Sequence, residues 1–155
     1  KLFFWVIFLQ IFILNNLQVS GHINPYYYII FILSIPRQTN KSVVLVLSFL
    51  VGFAIDVFSN THGAHAIASS LIGYLKILWT RDKGIFELED NIKSTNKSMQ
   101  KFIIFSLPLI ITHHFTIFFL ERFSFQEVIP VIQLTITSTF FTLILVTIHK
   151  IFIPE

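Results

Sequence analysis

The sequence predicts an all-α membrane protein with six transmembrane helices, and three observations lead there. Of its 155 residues 54% are hydrophobic, only 12% are charged and nineteen are Phe, more than one soluble core of this size hides from water. The apolar residues fall in six runs, at 2–19, 25–35, 42–58, 63–79, 102–120 and 128–148. Threaded through six spans, ten cations share the inner side: Lys1, Arg37, Lys41, Lys76, Arg81, Lys83, Lys93, Lys97, Lys101 and Lys150. Arg122 alone falls outside, and deleting any one span would scatter the set across both faces. Residues 1–155 are thus expected to form one integral membrane domain with both termini in the cytoplasm.

The first run is expected to remain as an anchor, because Asn15, Asn16 and Gln18 follow it without a small-x-small cleavage pattern. Lys1 in place of Met leaves room for residues upstream. Gln10, midway along this span, suits an interhelical hydrogen bond. The second run, 25–35, is about 16 Å long as a helix, against a hydrocarbon core of roughly 30 Å. It must either extend towards Val19 through the polar segment Ser20 to Asn24 or bury its ends in protein. The third and fourth runs are marginal at about 25 Å, while the fifth and sixth reach about 28 and 31 Å. Between the fourth and fifth lies 80–100, carrying Arg81, Asp82, Lys83, Glu87, Glu89, Asp90, Lys93 and Lys97, which reads as a solvated cytoplasmic loop. Ile85, Leu88 and Ile92 are spaced for a short amphipathic helix over 84–92 within it. The outer loops, 15–24, 59–62 and 121–127, are short.

Within lipid, close backbone approach replaces the hydrophobic effect in bringing helices together, so small residues mark contact faces. Ser48 and Gly52 lie one turn apart, with Asp56 one turn further; Ala66, Ser69, Ser70 and Gly73 form a second stripe at i, i+3, i+4 and i+7. The two stripes are expected to face each other across the tight turn Ser59 to Gly63. Asp56 then stands at the outer mouth of a helical hairpin, near His62 and His65.

An ionisable group at membrane depth costs about 2.5 to 3.5 kcal/mol at a helix centre, so it faces protein or water. Three readings of Asp56 stay open. It accepts hydrogen bonds from the turn or caps the positive N-terminus of the next helix; it forms a partner-binding or ligand-binding pocket with His65; or it ligates metal. Asp56, His62, His65, His113 and His114 include zinc-ligand types, but there is no HExxH pair and the spacing of His62 and His65 alone is weak. His113 and His114 point about 100° apart on one helix, so both cannot aim at one site. Each suits an interhelical hydrogen bond, and Thr135, Thr139 and Thr142 either bond back to their own helix or pair across to these histidines.

The chain has no cysteine, which excludes disulfides, thiolate metal sites and cysteine nucleophiles. There is no G-x-S-x-G, no HExxH and no phosphate-cradling glycine loop. A non-enzymatic protein without a cofactor is therefore expected, with an enzyme or a proton-coupled carrier as the alternative that the acid and histidines leave open. The pI near 9.3 reflects cytoplasmic cations suited to anionic lipid head groups, not nucleic-acid binding.

Motifs stand in order across the six spans: Leu9-Gln10 with Leu14-Asn15-Asn16, Gly21-His22-Ile23-Asn24-Pro25-Tyr26, Ile35-Pro36, Ser48 to Gly52 with Ile55 to Ser59, Gly63-Ala64-His65-Ala66 with Ala68, His113-His114 with Phe118 to Phe125, and the threonine-rich last span. In this order they resemble the MreD family of rod shape-determining membrane proteins, in the form found in the Bacteroidetes. Gly52-x-x-x-Asp56 followed by Gly63-x-His65-Ala66 is the most specific piece, and Thr80 to Gln100 lies outside the pattern. The resemblance implies a multi-pass scaffold of the bacterial inner membrane in the cell-elongation, peptidoglycan-synthesising machinery (the elongasome). It implies MreC as partner, and through it the RodA glycosyltransferase, the penicillin-binding transpeptidase and the MreB cytoskeleton. The family's fold is similar to the six-helix substrate-binding subunits of energy-coupling-factor vitamin transporters. A small-molecule-binding membrane subunit, with Asp56, His62, His65 and His113 around an outward pocket, is the second expectation.

Overall fold

Six α-helices, and no strand, make up the described residues, 1–16, 24–81 and 95–153, of a computed structural model of the chain. They are α1 (Leu2–Phe12), α2 (Ile29–Ser34), α3 (Lys41–Ser59), α4 (Ala64–Arg81), α5 (Thr95–Arg122) and α6 (Val128–Phe152), with 3-10 turns at Leu14–Asn16 and Phe125–Glu127. Among the described residues three stretches are long and apolar enough to cross a membrane: Lys41–Ser59, Met99–Arg122 and Phe125–Phe152. Leu2–Asn16 is apolar but shorter. α4 has the length and lacks the apolarity, because His65, Ser69 and Lys76 lie along it, and all three side chains are buried inside the bundle.

The boundaries differ from the expected spans in three places. In the run 2–19 the α-helix ends at Phe12 and a 3-10 turn follows to Asn16. The run 25–35 contains only a six-residue helix, about 9 Å long, which cannot cross a bilayer. It stops where Ile35 turns extended (φ −60°, ψ 126°), the conformation that the following Pro36 imposes on its predecessor. α5 begins at Thr95, so the end of the expected loop 80–100 is helical. The expected amphipathic helix over 84–92 and the extension of the second run towards Val19 lie outside the described residues.

α3 opens on Asn40, whose side chain accepts a hydrogen bond from the Ser42 backbone N–H at 3.0 Å, and it closes on Asn60 in the left-handed conformation. The turn to α4 has three residues of positive φ, Asn60 (56°), His62 (53°) and Gly63 (92°). A Cβ at Gly63 would meet open space, so backbone conformation and not packing calls for glycine there.

The small-residue stripes of α3 and α4 meet. A Cβ on Gly52 would sit 2.7 Å from the carbonyl carbon of His65 and from Ser69 Oγ, and one on Gly73 would sit 2.7 Å from Ser48 Cβ. Ser70 stands aside from this contact: it is half-buried and its hydroxyl donates to the Ala66 carbonyl at 2.8 Å. α4 also packs on α2 and α5, and α5 on α6. The outward faces are greasy, with Phe53 50%, Phe140 60% and Ile136 64% exposed, whereas Asp56, His65, His113, His114 and Thr142 are buried. Polar inside and apolar outside is the arrangement that lipid favours and water penalises.

Gly52→Ala is expected to lower stability in detergent by about 1 to 3 kcal/mol, since backbone cannot yield to the added methyl. Ser48→Ala, which removes a buried hydroxyl that has no hydrogen bond, should leave the melting temperature nearly unchanged. Equal losses from the two variants would contradict this packing.

Candidate functional site

A broken helix inside an apolar bundle must find partners for its exposed backbone groups, and α2 finds them on three neighbouring helices. At its N-terminal side Gln10 of α1 accepts from the Tyr28 N–H (3.3 Å) while its amide donates to the Pro25 carbonyl (3.1 Å) and to Asn15 Oδ1 (2.9 Å). Asn15 in turn donates to Ser59 Oγ at the end of α3 (3.0 Å). The Tyr26 N–H donates to Thr142 Oγ1 of α6 at 3.0 Å. At the C-terminal side Lys76 of α4 donates to the carbonyls of Ile32 (2.6 Å), Leu33 (2.9 Å) and Ile35 (2.6 Å). An ammonium group has three N–H donors and meets the negative end of the helix dipole here.

Lys76 therefore corrects the expectation that placed it among the cytoplasmic surface cations. It is 4% exposed and caps a helix inside the protein.

The tyrosines that follow Pro25 carry the second layer of the site. Tyr28 Oη lies 2.8 Å from His65 Nδ1 and 2.6 Å from His113 Nε2, bridging α4 and α5 through α2. Its single proton serves one ring and its lone pair takes a proton from the other. Because His113 Nδ1 is buried without a partner, the cheaper arrangement leaves a lone pair there and places the ring proton on Nε2, donating to Tyr28, which donates to His65. His114 is oriented just as fully. Its Nδ1 donates to the Ile110 carbonyl (2.9 Å), leaving Nε2 to accept from Thr142 (3.1 Å). Tyr27 Oη pairs with His149 Nδ1 of α6 at 2.5 Å. The adjacent histidines thus diverge, as neighbours on a helix must, one to Tyr28 and one to Thr142. Thr135 bonds back to the Val131 carbonyl at 2.7 Å.

Asp56 occupies the opposite end of α4. One carboxylate oxygen accepts from the Thr61 hydroxyl (2.5 Å) and the His65 N–H (3.0 Å), the other from the Ala66 N–H (2.7 Å). This is an N-terminal cap supplied by the preceding helix, with negative charge at the positive end of the dipole. His65 meets the carboxylate through its backbone, and its ring goes to Tyr28 instead. His62 is exposed and lines an open pocket of about 360 Å³ with Asn60, Thr61, Ile67, Leu120 and Glu121. Arg122, nearby, pairs with Glu127. Among the described residues no three acidic or histidine side chains are placed to hold a metal ion.

Of the residues singled out from sequence, Gln10, His65, His113 and His114 gather around α2, Asp56 and Ala66 form the cap, and Ser48, Gly52 and Gly73 form the α3–α4 contact. Lys76, Tyr26, Tyr27, Tyr28 and His149 were not singled out. A lysine inside the run 63–79 carries the same signal as an aspartate inside 42–58, and three tyrosine hydroxyls in a run too short to span are a polar feature of the same kind.

Lys76→Met should cost about 2 to 4 kcal/mol, because three carbonyls lose their donor in a site that water reaches poorly. Thermal unfolding in detergent measures it, and an unchanged midpoint would remove Lys76 from its capping role. Tyr28→Phe, which leaves two buried ring nitrogens without a partner, is expected to cost about 1 to 3 kcal/mol on the same assay, and a loss below that of Ser48→Ala would refute the bridge.

No family model, curated protein or solved structure matches this chain.

Proposed function

We propose that this chain is a non-enzymatic integral membrane scaffold of the MreD type, holding a single-span MreC-type partner in the inner-membrane machinery of cell elongation and, through it, RodA, the penicillin-binding transpeptidase and MreB. On this reading the six helices form six membrane crossings or partial crossings with both termini inside. One observation carries it furthest: Asp56, the acid at membrane depth, has both oxygens committed to Thr61, His65 and Ala66. A carboxylate held by three donors positions helices; a general base or ion carrier needs an oxygen free to change partners. His114 is tied in the same way through both ring nitrogens, to Thr142 and the Ile110 carbonyl, and His65 and His113 each hold Tyr28. The ordered motifs from Leu9 to the last span supply the family resemblance.

A second reading, a small-molecule-binding subunit of a vitamin-type transporter, is favoured by the pocket of about 360 Å³ beside His62 and Glu121, within the usual range for ligand sites. Its lining comes from the turn Asn60 to His62, the first turn of α4 and the end of α5; it is open, and no Phe, Tyr or Trp lines it to close over a ligand.

Co-expression with the MreC-type protein of the same organism, followed by purification in mild detergent, separates the two. The scaffold reading expects the partner to stay bound, and Asp56→Ala to loosen that binding while the chain still inserts. A stoichiometric vitamin-sized ligand with no retained partner would favour the transporter reading and overturn the first.

A further inference from the structure

Where α2 ends and α3 begins, the loop 35–40 carries two adjoining cavities. One, of about 150 Å³, is lined by Arg37, Lys41 and Lys76 together with Thr39 and Thr80, and no carboxylate among the described residues lines it. Several water-sized groups fit that volume, a water's share of the liquid being about 30 Å³. The other, of about 190 Å³, is walled by Leu2, Phe31, Ile35 and Leu47. Pro36 and Thr39 line both, so a basic pocket and an apolar groove share one edge.

Depth and charge agree with what such a pair would hold. Lys41 is the first residue of a helix long and apolar enough to cross a membrane, which sets this loop at the end of a hydrocarbon-length segment, where lipid head groups lie. Arg37 and Lys41 are exposed and line the pocket, so both cations lie within reach of an anion entering it. The N-terminus of α3, capped by Asn40, adds the positive end of its dipole. Lys76 is spent on three carbonyls and contributes charge at the floor without offering a donor.

We propose that this paired cavity binds an anionic phospholipid, its phosphate between Arg37 and Lys41 and an acyl chain in the groove of Leu2, Phe31 and Leu47. Basic pockets between membrane helices have the chemistry for phosphate head groups, and the adjoining apolar groove is what a free phosphate would leave unused. The site is independent of the scaffold reading, since it needs only the membrane and the described loop.

Native mass spectrometry of the full chain in detergent tests it, with dioleoyl phosphatidylglycerol, dioleoyl phosphatidylcholine and inorganic phosphate offered separately. The phosphatidylglycerol adduct should survive removal of detergent, the phosphatidylcholine adduct should be much weaker, and inorganic phosphate should neither bind nor compete. Arg37→Gln with Lys41→Gln should weaken phosphatidylglycerol binding about thirtyfold, the loss expected for two cations near an anionic head group. Leu47→Trp, which fills the groove, should weaken it too, while Lys150→Gln, outside the pocket, should not. Circular dichroism confirms that each variant is folded, and Arg37→Gln alone serves if the double variant is not. Equal binding of the two lipids, competition by inorganic phosphate, or full binding by either pocket variant would overturn the proposal.

Discussion

A six-residue helix inside an apolar bundle exposes backbone groups at both ends, and everything around α2 is arranged to receive them. Lys76 takes three carbonyls at one end; Gln10 and Thr142 take Pro25, Tyr26 and Tyr28 at the other. A buried polar group without a partner loses about 1 to 3 kcal/mol, so several left open together would rival the stability of a whole small domain. That requirement links four helices. α1, α4 and α6 each place a polar side chain at a position that a lipid-facing helix would fill with Leu or Ile, and α2 joins them.

The same segment then serves as a frame for the histidines. Tyr28 is reached by α4 and α5, Tyr27 by α6, and the Tyr26 backbone by Thr142, which also holds His114. Two sets of hydrogen bonds at 2.6 to 3.1 Å, Tyr28 with His65 and His113 and Thr142 with His114 and the Tyr26 N–H, are joined through the backbone at 26–28 and 113–114, so moving one helix disturbs the rest. Asp56 adds to it at the same end of α4 as His65, where its carboxylate joins α3 to the first turn of α4. On the proposed scaffold reading, a polar interior of this kind would hold a fixed surface for partner helices while the apolar outer faces meet lipid and protein.

Part of this is legible in the sequence. The run 25–35 is too short to span, and that length leaves two choices, extension towards Val19 or burial of its ends in protein, of which the described residues show the second at Pro25 to Tyr28 and at Ile32 to Ile35. Asp56 stood out by its charge, and Ser48, Gly52 and Gly73 by their size and spacing. The partners of α2 were harder to read. Lys76 lies near one end of its run, where a long cationic side chain usually snorkels to the surface, and only the nearby carbonyls of α2 turn it inward. Tyr26 to Tyr28 counted as apolar, since periodicity registers their rings and not their hydroxyls. Ser69 and Ser70 are neighbours in one stripe, and a small rotation of α4 decides which of them meets Gly52. The boundary of α5 was missed because polar residues such as Asn96 and Lys97 look like a loop, although a helix can continue beyond the lipid.

Amide hydrogen exchange across residues 25–35, in detergent, tests the central claim most directly. If side chains from α1, α4 and α6 close the backbone of α2, the Tyr26 and Tyr28 amides will exchange as slowly as the interior of α3, although Tyr26 lies outside any helix. Exchange there as fast as in the turn 60–63 would mean that α2 is an open, fraying segment, and the account built on its closure would fail.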